Sequence, residues 1–327
     1  MSKVLITTVP FGDKNRLPLE QLEAAGIEYL INPVGRKLKE EELAEMVSDF
    51  DALIAGTEPI TDKVMGAASK LKLISRVGIG LDSVDLLAAE RRGIKVSYTP
   101  DAPAPAVAEL TIGLMLSLLR SVHVVNAQMH RGEWHRHFGR RIPEVTIGII
   151  GAGRIGGGVL RRLAGFGTPR ILVNDTHPNL KVAPELKLEW VGKEEIYRHA
   201  DLISLHVPMT VQTKNMIRSE QLLMMKPDAM IINTSRGGII NEHDLAEVLG
   251  TGHLSGTAID VFDQEPYNGA LAQIDRCLLT SHMGSMSIDC RTRMEIEATE
   301  EVVRFLTGKK LESIVPEDEY IVQRQGL

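Results

Sequence analysis

Residues 145–156 read VTIGIIGAGRIG and place an apolar run directly before three glycines, Gly151, Gly153 and Gly156. The run is typical of a buried strand, and a helical pattern begins after Gly153. A strand, a glycine-rich turn and a helix in this order form the context that the GxGxxG motif requires. The glycines let the backbone approach a pyrophosphate, and the helix N-terminus offers it unpaired N–H groups. The stretch therefore predicts a dinucleotide-binding turn.

The next apolar run, RILVND at 170–175, ends in an acidic residue, Asp175. A carboxylate about twenty residues after the motif can accept hydrogen bonds from the adenosine ribose hydroxyls, and it repels a 2′-phosphate. This position favours NAD over NADP as the cofactor. The structural alternative is a glycine-rich turn followed by an aspartate that caps a helix.

Short apolar runs alternate with helix-length patterns along nearly the whole chain, which is typical of parallel sheets covered by helices. The sequence predicts an α/β protein with two doubly wound parallel-sheet domains. A Rossmann NAD-binding domain, 101–288, is inserted in a discontinuous flavodoxin-like substrate domain, 1–100 and 289–327. A long apolar helix beginning near Pro105 is expected to span the domains and to pack against a partner subunit.

The composition excludes several classes of protein. The 327 residues carry a net charge of -6, and 43% of them are apolar, which argues against nucleic acid or an anionic membrane as a partner. The longest apolar stretch, IGLMLSLL at 112–119, is too short to cross a bilayer. The two cysteines form no CxxC pair, and no HExxH spacing occurs, so no metal site is predicted. A cytoplasmic protein is expected.

Three ionisable residues follow predicted strands of the second α/β series: Arg236, Glu265 and His282. Ligands of doubly wound sheets bind at those strand ends. Arg236 could hold a substrate carboxylate with its planar guanidinium, and His282 could exchange the proton of a hydroxyl group. Glu265 could orient the imidazole and stabilise its protonated form. The set suits hydride transfer at the carbon of a 2-hydroxy or 2-oxo acid, whereas each residue alone reads as an ordinary surface or turn residue.

The chain resembles the D-isomer-specific 2-hydroxyacid dehydrogenase family over nearly its whole length. The motifs that carry the resemblance are VTIGIIGAGRIG, SLHVPMT, INTSRGGIINEHDLAEVL, GTAIDVFDQEP and HMGS. The resemblance implies Arg236 as the substrate anchor, Glu265 and His282 as the acid–base pair, and Asp175 as the ribose ligand. It also implies a homodimer, further cofactor contacts from Arg154, Ile155, Thr234 and Asp260, and substrate contacts from the backbone N–H groups of Val77, Gly78 and Ile79.

Within the family the chain is most similar to the 3-phosphoglycerate dehydrogenases, in a short form without a regulatory domain. That similarity implies Arg76 and Arg136 as contacts of a substrate phosphate, since a doubly charged phosphate needs more than one cation nearby. One departure weakens the phosphate assignment: AGTEPIT at 55–61 lacks a further arginine that some of these enzymes have there. A second departure, Pro103 in place of the usual asparagine, concerns the hinge or the nicotinamide pocket. The open alternatives are a glyoxylate or hydroxypyruvate reductase and an NAD(H)-sensing binding protein of the corepressor type.

Overall fold

The computed structural model describes residues 2–325, which divide into two compact units. The first unit holds residues 2–103 and 286–325, and the second holds Ala104–Ser285. Every paired strand in both units runs parallel to its neighbours. The predicted α/β class with two parallel sheets is therefore confirmed.

The first unit contains a five-stranded sheet. Its strands are β1 Lys3–Ile6, β2 Glu28–Ile31, β3 Ala52–Ala55, β4 Leu73–Arg76 and β5 Lys95–Tyr98. They lie in the order β2-β1-β3-β4-β5, which is the flavodoxin-like arrangement. The order reverses between β1 and β3, so the carboxyl ends of those two strands mark the switch point of the sheet.

Helices cover this sheet, and some of them begin at a residue whose side chain caps the helix. They are α1 Leu17–Ala24, α2 Glu40–Met46, α3 Asp62–Ala67, α4 Leu86–Arg91, α11 Ile288–Leu306 and α12 Glu317–Arg324. Asp85 caps α4, because its Oδ1 accepts a hydrogen bond of 2.7 Å from the backbone N–H of Ala88. Residues 288–310 carry the pattern of an amphipathic helix, which α11 matches. Residues 311–327 read as a polar surface segment, and this pattern gave no indication of α12.

The second unit contains a seven-stranded sheet. Its strands are β6 Thr146–Ile150, β7 Arg170–Asn174, β8 Leu188–Trp190, β9 Leu202–Leu205, β10 Met230–Asn233, β11 Gly256–Ile259 and β12 Cys277–Leu279. They lie in the order β12-β11-β10-β9-β6-β7-β8. Counted from β6 within the unit, this is the Rossmann order 3-2-1-4-5-6 with one strand added at the edge. The switch point lies between β6 and β9.

Each face of the seven-stranded sheet has its own apolar core, because successive side chains of a strand point to opposite faces. Ile171 and Ile232 belong to one core, whereas their chain neighbours Leu172 and Ile231 belong to the other. All four side chains are almost fully buried. This two-sided burial explains why the strands read as continuous apolar runs.

Six helices complete the second unit. They are α5 Ala104–Leu119, α6 Val122–His130, α7 Arg154–Leu163, α8 Lys193–His199, α9 Ser219–Met224 and α10 Glu242–Gly250. The single long helix predicted near Pro105 is in fact two helices, α5 and α6, which meet at a bend of 66°. Ser121 lies at the bend with a φ of 50°, a left-handed conformation that interrupts the helix.

Among the described residues, no helix is by itself both long and apolar enough to cross a bilayer. The bent pair α5 and α6 meets the criteria of length and composition only when the two helices are taken together.

Candidate active site

The glycine turn predicted from residues 151–156 connects β6 to α7. Gly151 has a φ of 94°, and a Cβ atom there would lie 2.4 Å from the carbonyl oxygen of His206. A Cβ atom on Gly156 would lie 1.9 Å from the carbonyl oxygen of Gly151. Both positions therefore require glycine. At Gly153, by contrast, the space around an added Cβ is open, and the exposed Arg154 follows as the first residue of α7.

Asp175 lies directly after β7 and contacts the glycine turn. Its Oδ2 accepts a hydrogen bond of 2.7 Å from the backbone N–H of Ala152, and its Oδ1 accepts one of 2.8 Å from that of His177. Each carboxylate oxygen can accept more than one hydrogen bond. The side chain is therefore fixed beside the turn and retains capacity to accept further hydrogen bonds.

His206 follows β9 at the switch point and packs against the glycine turn. Its ring Nε2 lies 2.9 Å from the hydroxyl of Ser204, and its Nδ1 is buried, although the residue as a whole keeps some exposure. Burial lowers the pKa of His206 to about 3. The ring is therefore neutral near neutral pH and serves as a packing element of the turn.

Because His206 is neutral in the folded protein, we expect the stability of the protein to fall in acid. The unfolded chain protonates His206 below about pH 6.5, but the folded protein does not until about pH 3. Stability is fully present above the unfolded pKa and is lost as the pH falls through this window, by up to about 1.4 kcal/mol per pH unit. Between about pH 7 and 5, the free energy of unfolding of His206→Asn should fall by about 1 to 2 kcal/mol less than that of the unsubstituted protein. Urea unfolding at the two pH values measures both falls. Equal losses in the two proteins would contradict this prediction.

Arg236 lies in the loop after β10 and is partly buried. Its Nη1 donates a hydrogen bond of 2.7 Å to the carbonyl oxygen of Ser235. Two residues before it, Thr234 is 5% exposed, and its hydroxyl lies 2.9 Å from that of Thr111 on α5. The guanidinium therefore extends from a backbone segment that is fastened to the core of the unit.

His282 and Glu265 form a direct pair. The Nδ1 of His282 lies 2.9 Å from Oε2 and 3.0 Å from Oε1 of Glu265. The two side chains remain 42% and 32% exposed, so solvent and ligands can reach them. Because Nδ1 is engaged with the carboxylate, Nε2 is the ring nitrogen left to exchange a proton with a substrate.

The turn that carries His282 is built on Asp260, the residue after β11. Asp260 is 1% exposed, and its carboxylate accepts hydrogen bonds from the Thr280 hydroxyl at 2.6 Å and from the Met283 and Gly284 N–H groups at 2.9 Å. His282 has a φ of 52°, an unusual conformation for a residue with a side chain. The resemblance implied a cofactor contact for Asp260. In the structure, Asp260 also stabilises the turn that carries His282.

The residues predicted for the substrate in the first unit lie at the end of β4. Arg76 is 6% exposed, and its guanidinium contacts the carbonyl oxygen of Val77. The N–H of Val77 donates to the Ala55 carbonyl at 2.8 Å, and that of Gly78 to the Thr99 hydroxyl at 2.8 Å. Ile79 packs partly buried against the core. In this conformation the first two N–H groups are already paired, and their role toward a substrate stays a prediction.

Arg136 lies in the second unit, in the irregular stretch 133–141 that follows α6. The residue is exposed and lines a groove together with Phe138 and residues of α5 and α6. Its predicted contact with a substrate phosphate stays a prediction.

Among the described residues, one group of side chains has the proximity needed for a metal ion. It consists of His243, Asp244 and Glu247 on α10, and the histidine is 78% exposed. Exposed groups of this kind are common without a metal. The prediction of no metal therefore stays a prediction.

Residues 112–284 match the family model for the D-isomer specific 2-hydroxyacid dehydrogenase, NAD binding domain. The chain belongs to the D-isomer-specific 2-hydroxyacid dehydrogenase family. The resemblance predicted from the sequence motifs is confirmed, and so is an NAD-binding domain in the second α/β series.

Individual relatives within this family carry more than one substrate name. The chain is 38% identical over 288 residues to a D-3-phosphoglycerate dehydrogenase of Methanocaldococcus jannaschii, covering 86% of this chain and 55% of that protein. It is 34% identical over 276 residues to a hydroxypyruvate reductase of Thermotoga maritima, covering 82% of this chain and 89% of that protein. The chain thus spans about half the length of the first relative and most of the second.

Solved structures of similar proteins share the fold of this family member. A crystal structure of a Thermus thermophilus protein has a TM-score of 0.88 and 33% sequence identity, covering 96% of this chain and 100% of that one. The likeness therefore extends over both units, each of which has its counterpart in the solved structure.

Proposed function

We propose that the protein is an NAD-dependent dehydrogenase that transfers a hydride between NAD(H) and C2 of a small D-2-hydroxy or 2-oxo acid. The observation that carries the proposal is the His282–Glu265 pair, with Nδ1 2.9 Å from Oε2. The pair stands at the same sheet edge as Arg236, because all three residues follow parallel strands of one sheet. At this edge Arg236 would serve as the cation for a carboxylate and His282 as the imidazole for a proton.

The side chains divide the chemistry of reduction among them. Arg236 binds the substrate carboxylate through its planar fork of donors and polarises the adjacent keto oxygen. The Nε2 of His282 donates a proton to that oxygen and takes it back during oxidation. Glu265 fixes the ring through Nδ1 and stabilises its protonated form. General acid–base catalysis of this kind contributes roughly a hundred- to ten-thousandfold to the rate.

The residues of the glycine turn fit a dinucleotide. Gly151 and Gly156 are positions where no side chain fits, and Gly153 leaves open space at the N-terminus of the ten-residue helix α7. Backbone N–H groups at such a terminus bind phosphate, and Asp175 would accept hydrogen bonds from the ribose. The nicotinamide ring supplies the hydride chemistry when it is bound. The carboxylate of Asp175 favours NAD over NADP.

The first candidate substrate is 3-phosphoglycerate. The buried cation Arg76 and the exposed Arg136 support it, together with the similarity to a phosphoglycerate dehydrogenase. In this assignment the first unit is the substrate domain, and the second is the NAD-binding domain.

A second candidate, reduction of glyoxylate or hydroxypyruvate, is favoured by Glu58. This residue is 1% exposed at the end of β3, where the sequence lacks a further arginine. Its carboxylate accepts hydrogen bonds from the Thr7 hydroxyl and, at 2.8 Å, from the N–H of Gly56. A carboxylate at the edge that carries Arg76 disfavours a doubly charged phosphate. The similarity to a hydroxypyruvate reductase points the same way.

A homodimer in the cytoplasm is part of the proposal. Apolar side chains are exposed along α5, α6 and the following segment, including Val122 at 53%, Trp134 at 74% and Phe138 at 106%. Clustered exposed apolar residues mark interaction surfaces. Cys277 and Cys290 are free thiols rather than a disulfide, which suits a reducing compartment.

A panel of 2-oxo acids tests the function. Glyoxylate, hydroxypyruvate and phosphohydroxypyruvate are each mixed with the purified protein and NADH or NADPH, and the loss of cofactor absorbance is followed. We expect turnover with NADH, and a higher kcat/KM for the phosphorylated acid than for hydroxypyruvate supports the first candidate. The reverse ratio supports the second candidate. No oxidation of NADH with any acid would overturn the proposed activity.

A further inference from the structure

Asn233, the last residue of β10, is a buried side chain whose amide group is engaged at both ends. It is 2% exposed. Its Oδ1 accepts hydrogen bonds from the backbone N–H of Ser235 at 3.0 Å and from the Ser235 hydroxyl at 2.9 Å. Its Nδ2 donates a hydrogen bond of 2.7 Å to the backbone carbonyl of Arg236. The side chain thus contacts Ser235 and Arg236, the two residues whose backbone sets the position of the Arg236 Cα atom.

These contacts fix the backbone of the loop. An asparagine that accepts from the N–H two residues later forms an Asx turn, which bends the chain sharply after the strand. The added bond to the Arg236 carbonyl sets the orientation of that peptide group. The main-chain carbonyl of Asn233 also accepts the N–H of Asp260 at 3.0 Å, which ties the loop to the strand end that supports His282.

Only asparagine has the right groups for this arrangement. An aspartate has the same shape but lacks a donor, so it would place a charged oxygen against the Arg236 carbonyl. A buried carbonyl left without its donor loses about 1–3 kcal/mol of interaction, and two facing oxygens repel each other. A serine is too short to reach both Ser235 and Arg236.

We propose that Asn233 is a positioning residue that holds Arg236 for its grip on the substrate carboxylate, an inference that rests on the proposed function. A guanidinium at the end of a flexible side chain binds a carboxylate bidentately only when its stem is correctly oriented. Displacements of about 1 Å at such a site cost about a hundredfold in rate. Asn233 limits that displacement by fixing the backbone from which the Arg236 side chain extends.

The test is Asn233→Asp, measured for KM and kcat with the best 2-oxo acid and for NADH affinity by fluorescence titration. We expect KM to rise about tenfold or more and kcat to fall, with the NADH Kd changed less than about threefold. The same substitution is then made in an Arg236→Lys background. There it should change kcat/KM less than about twofold, because the residue through which Asn233 acts has already been lost.

Asn32 provides a matched control. It is 4% exposed at the end of β2, its Oδ1 accepts the N–H of Val34 at 2.9 Å, and its Nδ2 donates to the carbonyls of Thr7 and Arg36. Asn32→Asp should lower the melting temperature as Asn233→Asp does, while KM for the oxo acid stays unchanged.

The outcomes separate the inference from the function on which it rests. If Asn233→Asp and Arg236→Lys have multiplicative effects on kcat/KM, Asn233 does not act through Arg236 and the inference is overturned. If Asn233→Asp lowers stability alone, with KM unchanged, it is overturned as well. If Arg236→Lys itself leaves kcat/KM unchanged while the protein turns over, the proposed role of Arg236 fails first.

Discussion

The substitution His282→Asn is expected to lower kcat for reduction of the 2-oxo acid by about a hundred- to ten-thousandfold, while the NADH Kd changes less than about threefold. Asparagine retains a polar group of similar reach, but it cannot donate and recover a proton at neutral pH. The imidazole lies 2.9 Å from Glu265 through Nδ1, so its loss removes the proton donor and leaves the carboxylate without its partner. Steady-state kinetics with NADH and fluorescence titration of NADH measure the two quantities.

A second histidine–glutamate pair in the same unit supplies the control. On α8, the Nε2 of His199 lies 3.2 Å from a carboxylate oxygen of Glu195, and both side chains are about half exposed. His199→Asn therefore removes the same imidazole and the same type of ion pair, and it should leave kcat unchanged. A loss of kcat with His199→Asn equal to that with His282→Asn would indicate a general defect. Unchanged kcat with His282→Asn would remove this residue from the proposed chemistry.

Glu265→Gln should lower kcat less than His282→Asn does, because the glutamine amide can still hydrogen-bond to Nδ1 and orient the ring, and the imidazole remains to transfer the proton. Steady-state kinetics with NADH measure this difference. A kcat equal to that of the unsubstituted protein would remove Glu265 from the proposed chemistry.

The sequence predicted the sheets well because their strands are buried on both faces. Runs such as Met230–Asn233 leave little choice between a strand and a helix once the following turn is recognised. The strand β8 was missed, because Leu188–Trp190 is three residues long and carries a glutamate at its centre. Its position depends on pairing with β7, which no local pattern reveals.

The bend between α5 and α6 was also missed, because the local sequence pattern does not reveal it. Arg120 and Ser121 include neither glycine nor proline, so the sequence carries only a weak signal for a helix end, an arginine and then a serine before the next apolar run. Ser121 takes a left-handed conformation in the folded protein. Tertiary packing of the two helices determines this geometry, and an apolar pattern that continues past the bend conceals it.

The site residues also fall into those that the sequence could identify and those that it could not. Arg236, Glu265 and His282 could be identified because ionisable residues in the loops after apolar strands are conspicuous, and sheet topology brings such loops to one edge. Asn233 was missed, because it reads as the last residue of the strand. The available signal was an asparagine placed two residues before a serine, a pattern typical of an Asx turn. Buried polar contacts of this kind depend on geometry that a sequence does not supply.

The substitution Gly156→Ala is expected to destabilise the second unit and to abolish measurable NADH binding. An added Cβ would lie 1.9 Å from the carbonyl oxygen of Gly151, which is backbone and cannot move aside as a side chain can. Overpacking of this severity costs about 3 kcal/mol or more, which corresponds to a fall in melting temperature of about 6–12 °C for a unit of this size. Thermal unfolding and fluorescence titration with NADH measure both effects.

Two further glycines separate packing from cofactor binding. Gly250, the last residue of α10, has open space around its Cβ, so Gly250→Ala should keep or raise stability by about 0.5 kcal/mol because alanine favours the helix. Gly153 also has open space, but it faces the proposed pyrophosphate, so Gly153→Ala should keep the melting temperature while weakening NADH binding about tenfold or more. If Gly156→Ala behaved like Gly250→Ala, the close approach of α7 to the turn would be wrong. If Gly153→Ala bound NADH normally, the dinucleotide would not pass over this turn, because the only consequence of that methyl group is to occupy the space assigned to the pyrophosphate.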